Sequence, residues 1–188
     1  MVGYRVPPKS RKEIESAASV LRKAFCKEAE YFFPLMKLLE IELPKSFPNF
    51  NLDILDDGSL EGNARALTYP DQKVMLIANS VYEGAVDGVG KDRMTIAHEI
   101  GHLLLHQAVS FAKQYENDPI KTYENSEWQA DVFAGELLAP IRLIGGKGLL
   151  EIAEDFGVSP SAANAQLNAL KKACAATKKL PLLKLQRR

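Results

Sequence analysis

Residues 98–102 read His-Glu-Ile-Gly-His, inside a stretch from Asp92 to about Gln107 whose residues suit a helix. No other five residues of the chain narrow the architecture so far. Residues four apart stand one turn apart on the same helix face, so both imidazoles can reach one ion with Zn–N bonds of roughly 2.0–2.1 Å. Glu99 then stands beside the ion, placed to take a proton from water rather than to bind metal. A catalytic zinc needs a third protein ligand, so the fold must lay a second segment alongside this helix. Met94, Ile96, Ala97, Ile100, Leu103, Leu104 and Leu105 would bury it, and Gly101 would let a strand or a substrate pass close. The bland alternative is a pair of core histidines bonded to backbone. All three histidines fall between 98 and 106, and a chance match in this length is roughly a one-per-cent event. The metal reading is preferred.

His106 does not qualify as the third ligand. Residues eight apart on a straight helix are separated by about 12 Å along its axis, and the long-spaced arrangement with a helix break before the third ligand is absent. His106 is read as structural, satisfying backbone or packing near the helix end. A better candidate lies on the next predicted helix, about Asn125 to Leu138. Glu127-Trp128-Gln129-Ala130-Asp131 puts two carboxylates at i and i+4 on one face, beside the small Ala130 and Ala134. Glu127 would bind zinc, and Asp131 would accept the second ring N–H of a ligand histidine. Spacing alone leaves Glu124 and Glu136 open, and an ordinary acidic helix face as well.

The remaining pattern gives an α+β class. Ser10-Arg11-Lys12-Glu13 is a capping box opening a helix to about Cys26. Pro34 starts a shorter helix stopped near Pro44. Phe50, Leu52 and Ile54 alternate with polar neighbours up to the turn Asp56-Asp57-Gly58, and Ala64–Tyr69 with Lys73–Ala78 read as a hairpin. Glycines 84, 88 and 90 mark a loop before the metal helix. Two further helices, Leu149–Phe156 and Ser161–Lys172, flank Gly157-Val158-Ser159-Pro160. The expected order is helices, a small antiparallel sheet, then helices, not alternating βαβ units.

At 188 residues this is one compact domain, or one with a small appendage. Lys+Arg and Asp+Glu balance at 24 each, so no whole-chain field points to nucleic acid or a membrane. The last 18 residues nevertheless carry seven cations (Lys171, Lys172, Lys178, Lys179, Lys184, Arg187, Arg188) and no acid, leaving 17 basic against 24 acidic elsewhere. Such a basic tail is usually a solvated terminus. The first residues lack an apolar signal core, no run is long enough to span a bilayer, and Cys26 and Cys174 are isolated. A cytoplasmic location with free thiols is expected.

The string from Asp92 to His106, followed by Glu127-Trp128-Gln129-Ala130-Asp131-Val132-Phe133-Ala134-Gly135-Glu136-Leu137-Leu138-Ala139-Pro140, resembles the signature of the ImmA/IrrE metallo-endopeptidases. The similarity runs over most of the chain, from the capped first helix to Leu170. The resemblance implies a zincin-like peptidase core at residues 1–145, a helix-turn-helix-like extension at 146–174 and a basic tail at 175–188. It implies His98, His102 and Glu127 as zinc ligands with Glu99 as general base, which lifts Glu127 above Glu124 and Glu136. The role of Asp131 stays an inference from spacing. Ala139 departs from the family, where methionine usually precedes the proline; it is a packing position. Members cleave helix-turn-helix repressors or occur beside toxin–antitoxin genes, so the implied partner is a protein substrate, a repressor or antitoxin.

The segment from Ile152 to Ala163 has the look of a helix-turn-helix. A DNA reader would place cations at the start of its second helix, whereas this one offers Ser161, Asn164, Gln166 and Asn168 before Lys171. A helical pair that completes the core or docks a substrate is therefore favoured over DNA binding. A DNA-binding or antitoxin-like regulator with a structural metal site is the rival function, and a degenerate protein-binding module a third. An intact Glu99 argues against both, because a structural site has no need of that carboxylate. For the oxyanion helper the sequence offers Tyr115, Tyr123 and Arg93. Oligomeric state is not legible.

Overall fold

Ser10 caps the first helix, α1 (Arg11–Phe25): its backbone N–H donates to Glu13 Oε2 at 2.7 Å and its Oγ accepts from Glu13 N. The computed structural model describes residues 3–26, 30–107 and 119–185, with side chains to residue 176. After α1 the chain forms α2 (Leu35–Lys37), a π-turn over Leu38–Glu42, and α3 (Leu43–Ser46). The helix was expected to stop near Pro44, and it ends two residues later, at Ser46, with the proline inside its last turn. The wider turn, in which Leu43 N–H donates to Leu38 O, lets the helix absorb a proline whose ring a straight α-helix would exclude.

Three short strands follow: β1 (Asn51–Leu55), β2 (Ala66–Tyr69) and β3 (Val74–Ala78). The β2–β3 hairpin is antiparallel, with Ala66 opposite Ile77 and Tyr69 opposite Val74. The expectation of a wholly antiparallel sheet is corrected, however. The order is β1-β3-β2, and β1 runs parallel to β3, with Asn51 opposite Val74 and Leu55 opposite Ala78. Residues 56–65 carry the chain past one strand position, and β3 then fills the gap. That connection is fastened by Leu60, which is buried.

Helix α4 (Asn79–Val86) occupies ground read as loop, and α5 (Gly90–Leu105) carries the paired histidines. Ile96, Ala97, Ile100 and Leu103 are fully buried. On one side α5 meets β2, where Thr68 Oγ1 donates to Glu99 O at 3.2 Å; on the other it crosses α6 (Ser126–Leu138). What Gly101 admits is this crossing helix, not a strand or a substrate: a Cβ there would lie 3.1 Å from Ala130 Cα. Asn125 caps α6 by accepting from Trp128 N at 3.0 Å.

Helices α7 (Leu149–Phe156) and α8 (Pro160–Leu185) close the described chain, the latter running well beyond the expected end near Lys172. Ile152, Phe156, Val158 and Ala163 belong to the same buried cluster as Ile96 and Ile100. No helix among the described residues is long and apolar enough to cross a membrane.

Candidate metal centre

Two i,i+4 pairs face each other where α5 and α6 cross. On α5 they are His98 and His102; on α6, Glu127 and Asp131. His98 Nε2 lies 3.0 Å from His102 Nε2. Glu127 sets one carboxylate oxygen toward each ring, Oε2 at 3.4 Å from His98 Nε2 and Oε1 at 3.4 Å from His102 Nε2. Ligand atoms of the three residues all lie within 4.8 Å of one another. Two imidazoles and a carboxylate are the donor set a catalytic zinc takes, and the residues fit such an ion.

Asp131 stands behind His98, its Oδ1 accepting from Nδ1 at 2.8 Å. That bond commits the Nδ1 proton of His98 and turns Nε2 toward Glu127 and His102. Glu99 is buried at 3% exposure, one residue along the helix from His98, and its charge reaches His98 and Tyr4. Burial opposes a charge on His98, but the hydrogen bonds to Asp131 and Glu127 and the charges of Glu99 and Asp131 outweigh it and raise His98 to about 10. The partners of Glu127, His102 first and then His98, hold its carboxyl well below the usual carboxylate range.

The other sequence candidates go elsewhere. Glu124 ends a short 3₁₀ turn and faces Arg5 at 3.7 Å. Glu136 is buried against Arg11 at 2.5 Å and accepts from Ile141 N. Arg93 is corrected as an oxyanion donor. It lies inside the fold, with Nε donating to Gly157 O and Nη2 to Phe33 O, each at 2.9 Å, and its guanidinium 3.9 Å from the Phe32 ring centroid. Tyr123 is 44% exposed and lies beside Lys121. Tyr115 falls outside the described residues.

Three residues near the site were not read from the sequence as part of it. Tyr4 stacks on His102, ring centroids 6.4 Å apart, and meets His106 edge-on at 5.9 Å. Burial and the charges of Glu127, Asp71 and Glu99 push its phenol up to about 12. Nothing in the pattern marks it, since it comes from a strap 94 residues before His98. That strap is laced to the start of α6: Ser126 N donates to Tyr4 O, Val6 N to Glu124 O and Lys9 N to Tyr123 O. His106 Nδ1 lies 3.0 Å from His102 Nδ1, and His106 Nε2 lies 3.2 Å from Gln129 Oε1. The signal for His106 was its i+4 spacing from His102, which forbids a shared ion with His98 and invites contact.

The model of the IrrE N-terminal-like domain of the M78 peptidases matches residues 61–168. No curated protein matches the chain. Among solved structures, a transcriptional regulator from Mycobacterium tuberculosis is similar in fold, with a TM-score of 0.53 at 17% identity. The likeness covers 81% of this chain and 45% of the regulator, so the chain spans less than half the length of that protein.

Proposed function

The chain belongs to the M78 peptidase family through its IrrE N-terminal-like domain, and on that premise we propose that it is a zinc-dependent endopeptidase. In this reading it works in the cytoplasm and cleaves a helix-turn-helix repressor or an antitoxin. The observation that supports it most is the convergence of His98 Nε2, His102 Nε2 and both Glu127 oxygens beside the buried Glu99.

His98, His102 and Glu127 would hold the ion, with Asp131 orienting His98. Bound there, zinc supplies polarisation of the scissile carbonyl and a more acidic water. Glu99 takes the proton of the attacking water and delivers it to the leaving amine. An extended substrate segment would add to the outer edge of β2, which pairs with no further strand among the described residues and is fastened to the Glu99 turn through Thr68.

Glu99→Gln is expected to bind zinc as the parent does and to cleave a co-expressed candidate repressor at least about a hundredfold more slowly. Equal cleavage by the two proteins would sink the peptidase reading. Glu127→Ala is expected to lose most of its bound zinc on metal analysis; undiminished occupancy would return the third position to Glu124 or Glu136.

A further inference from the structure

Gln129 fixes the direction of a hydrogen-bond chain that ends on a metal ligand. Its Nε2 reaches two carbonyls, Pro7 O at 2.9 Å and Tyr123 O at 2.8 Å. Carbonyls only accept, so the amide must point this way; a flip would set Oε1 against both. Oε1 is then the acceptor facing His106 Nε2 at 3.2 Å, and Nε2 of His106 must carry a proton. His106 is 1% exposed and has no carboxylate on either nitrogen, so it is the neutral imidazole. Its Nδ1 is therefore an acceptor, and its neighbour at 3.0 Å, His102 Nδ1, must donate. His102 is left with its lone pair on Nε2, the atom facing His98 Nε2 and Glu127.

We propose that His106 and Gln129 are positioning residues that lock His102 in its Nδ1–H tautomer, keeping Nε2 as a ready lone pair for the metal. The inference rests on the zinc reading above and extends it. His98 is held from the solvent side by the exposed Asp131, whose side chain is 72% accessible, while His102 is held from the interior by a neutral relay. The relay ends on backbone carbonyls of the N-terminal strap and of the turn before α6, so its anchor is the fold itself. Without it, a histidine whose Nε2 faces the Glu127 carboxylate would be free to carry its proton on Nε2, where it would have to be displaced before metal could bind.

The test reads ring tautomers directly. In ¹⁵N-labelled protein stripped with chelator, two-bond ¹H–¹⁵N correlations should show His102 protonated at Nδ1 and His106 at Nε2. His106→Leu should move His102 towards the Nε2–H form and weaken zinc binding, measured by chelator competition, on the order of 10–100-fold. His106→Asn, whose side-chain oxygen can accept where Nδ1 did, should restore most of both. Wild-type His102 protonated at Nε2 would overturn the proposal without any variant, as would a His106→Leu protein with parental tautomer and affinity. Neither readout involves cleavage, so a protein with the lock intact and no peptidase activity would count against the peptidase reading alone.

Discussion

His98 and His106 sit on one helix face two turns apart, yet their surroundings push them in opposite directions. Carboxylates on three sides raise His98 to about 10. Burial first, and then the neighbouring His102, lower His106 to about 4. For His106 the unfolded chain takes up a proton near pH 6.5 that the folded chain refuses, so its contribution is lost as pH falls from 6.5 towards 4, up to about 3 kcal/mol. For His98 the folded chain holds its proton longer, so that contribution is complete below pH 6.5 and lost as pH climbs towards 10. Metal-stripped protein should therefore be most stable near pH 6.5 in denaturant titrations. Zinc should flatten the alkaline side, because binding displaces the His98 proton. A stability maximum above pH 8 in the stripped protein would contradict this assignment. At this scale the ligand helix was legible because helical spacing alone brings His98, Glu99 and His102 together. Tyr4 was not, since only the folded strap carries it to His102.

The distance from the two histidines to Glu127 is set by how closely α5 and α6 cross. Gly101 and Ala130 form that crossing, and a methyl at 101 would stand 3.1 Å from Ala130 Cα and 3.2 Å from Phe133 Cδ1. In Gly101→Ala the helix gains about 1 kcal/mol of intrinsic propensity, while α6 must retreat by a few tenths of an ångström and take Glu127 with it. Thermal stability should change little and zinc affinity should fall about tenfold, as when a ligand's support is disturbed. An unchanged affinity in chelator competition would show that the crossing does not set the ligand distance. Helix α6 was legible, from about Asn125 to Leu138, with its paired carboxylates on one face. Two other elements were not. Gly84 lies within α4 because the Asp92 carboxylate, paired with Arg65, fills the place of its Cβ; a glycine demanded by packing looks in sequence like a glycine demanded by a turn. The mixed sheet was missed because consecutive strands usually pair, and alternation along β1 says nothing about which strand will lie beside it.

Across the whole molecule, α5 is tied to segments distant in sequence on either side. Arg93 makes one such tie in both directions, joining the helix to Phe33 before α2 and to Gly157 at the end of α7. Its guanidinium lies over Phe32 and is 2% exposed, and burial lowers it to about 10. Gln166 ties α8 to the neighbouring α6 in the same way, its Nε2 donating to Ala139 O at 2.8 Å just past the end of that helix. Charge and position in the sequence offered Arg93 as an oxyanion donor, because a cation five residues before His98 gives no hint of which way it points; three-dimensional packing turns it inward. Arg93→Lys separates the two roles. Lysine keeps the charge but cannot span both carbonyls, leaving one buried acceptor unpaired at about 1–3 kcal/mol. The melting temperature should fall by roughly 3–10 °C for a chain of this size, with turnover per folded molecule near the parental value below the transition. A variant that melts like the parent and loses turnover would return Arg93 to the reacting carbonyl, and with it the tie that holds α7 to the metal helix would lose its main support.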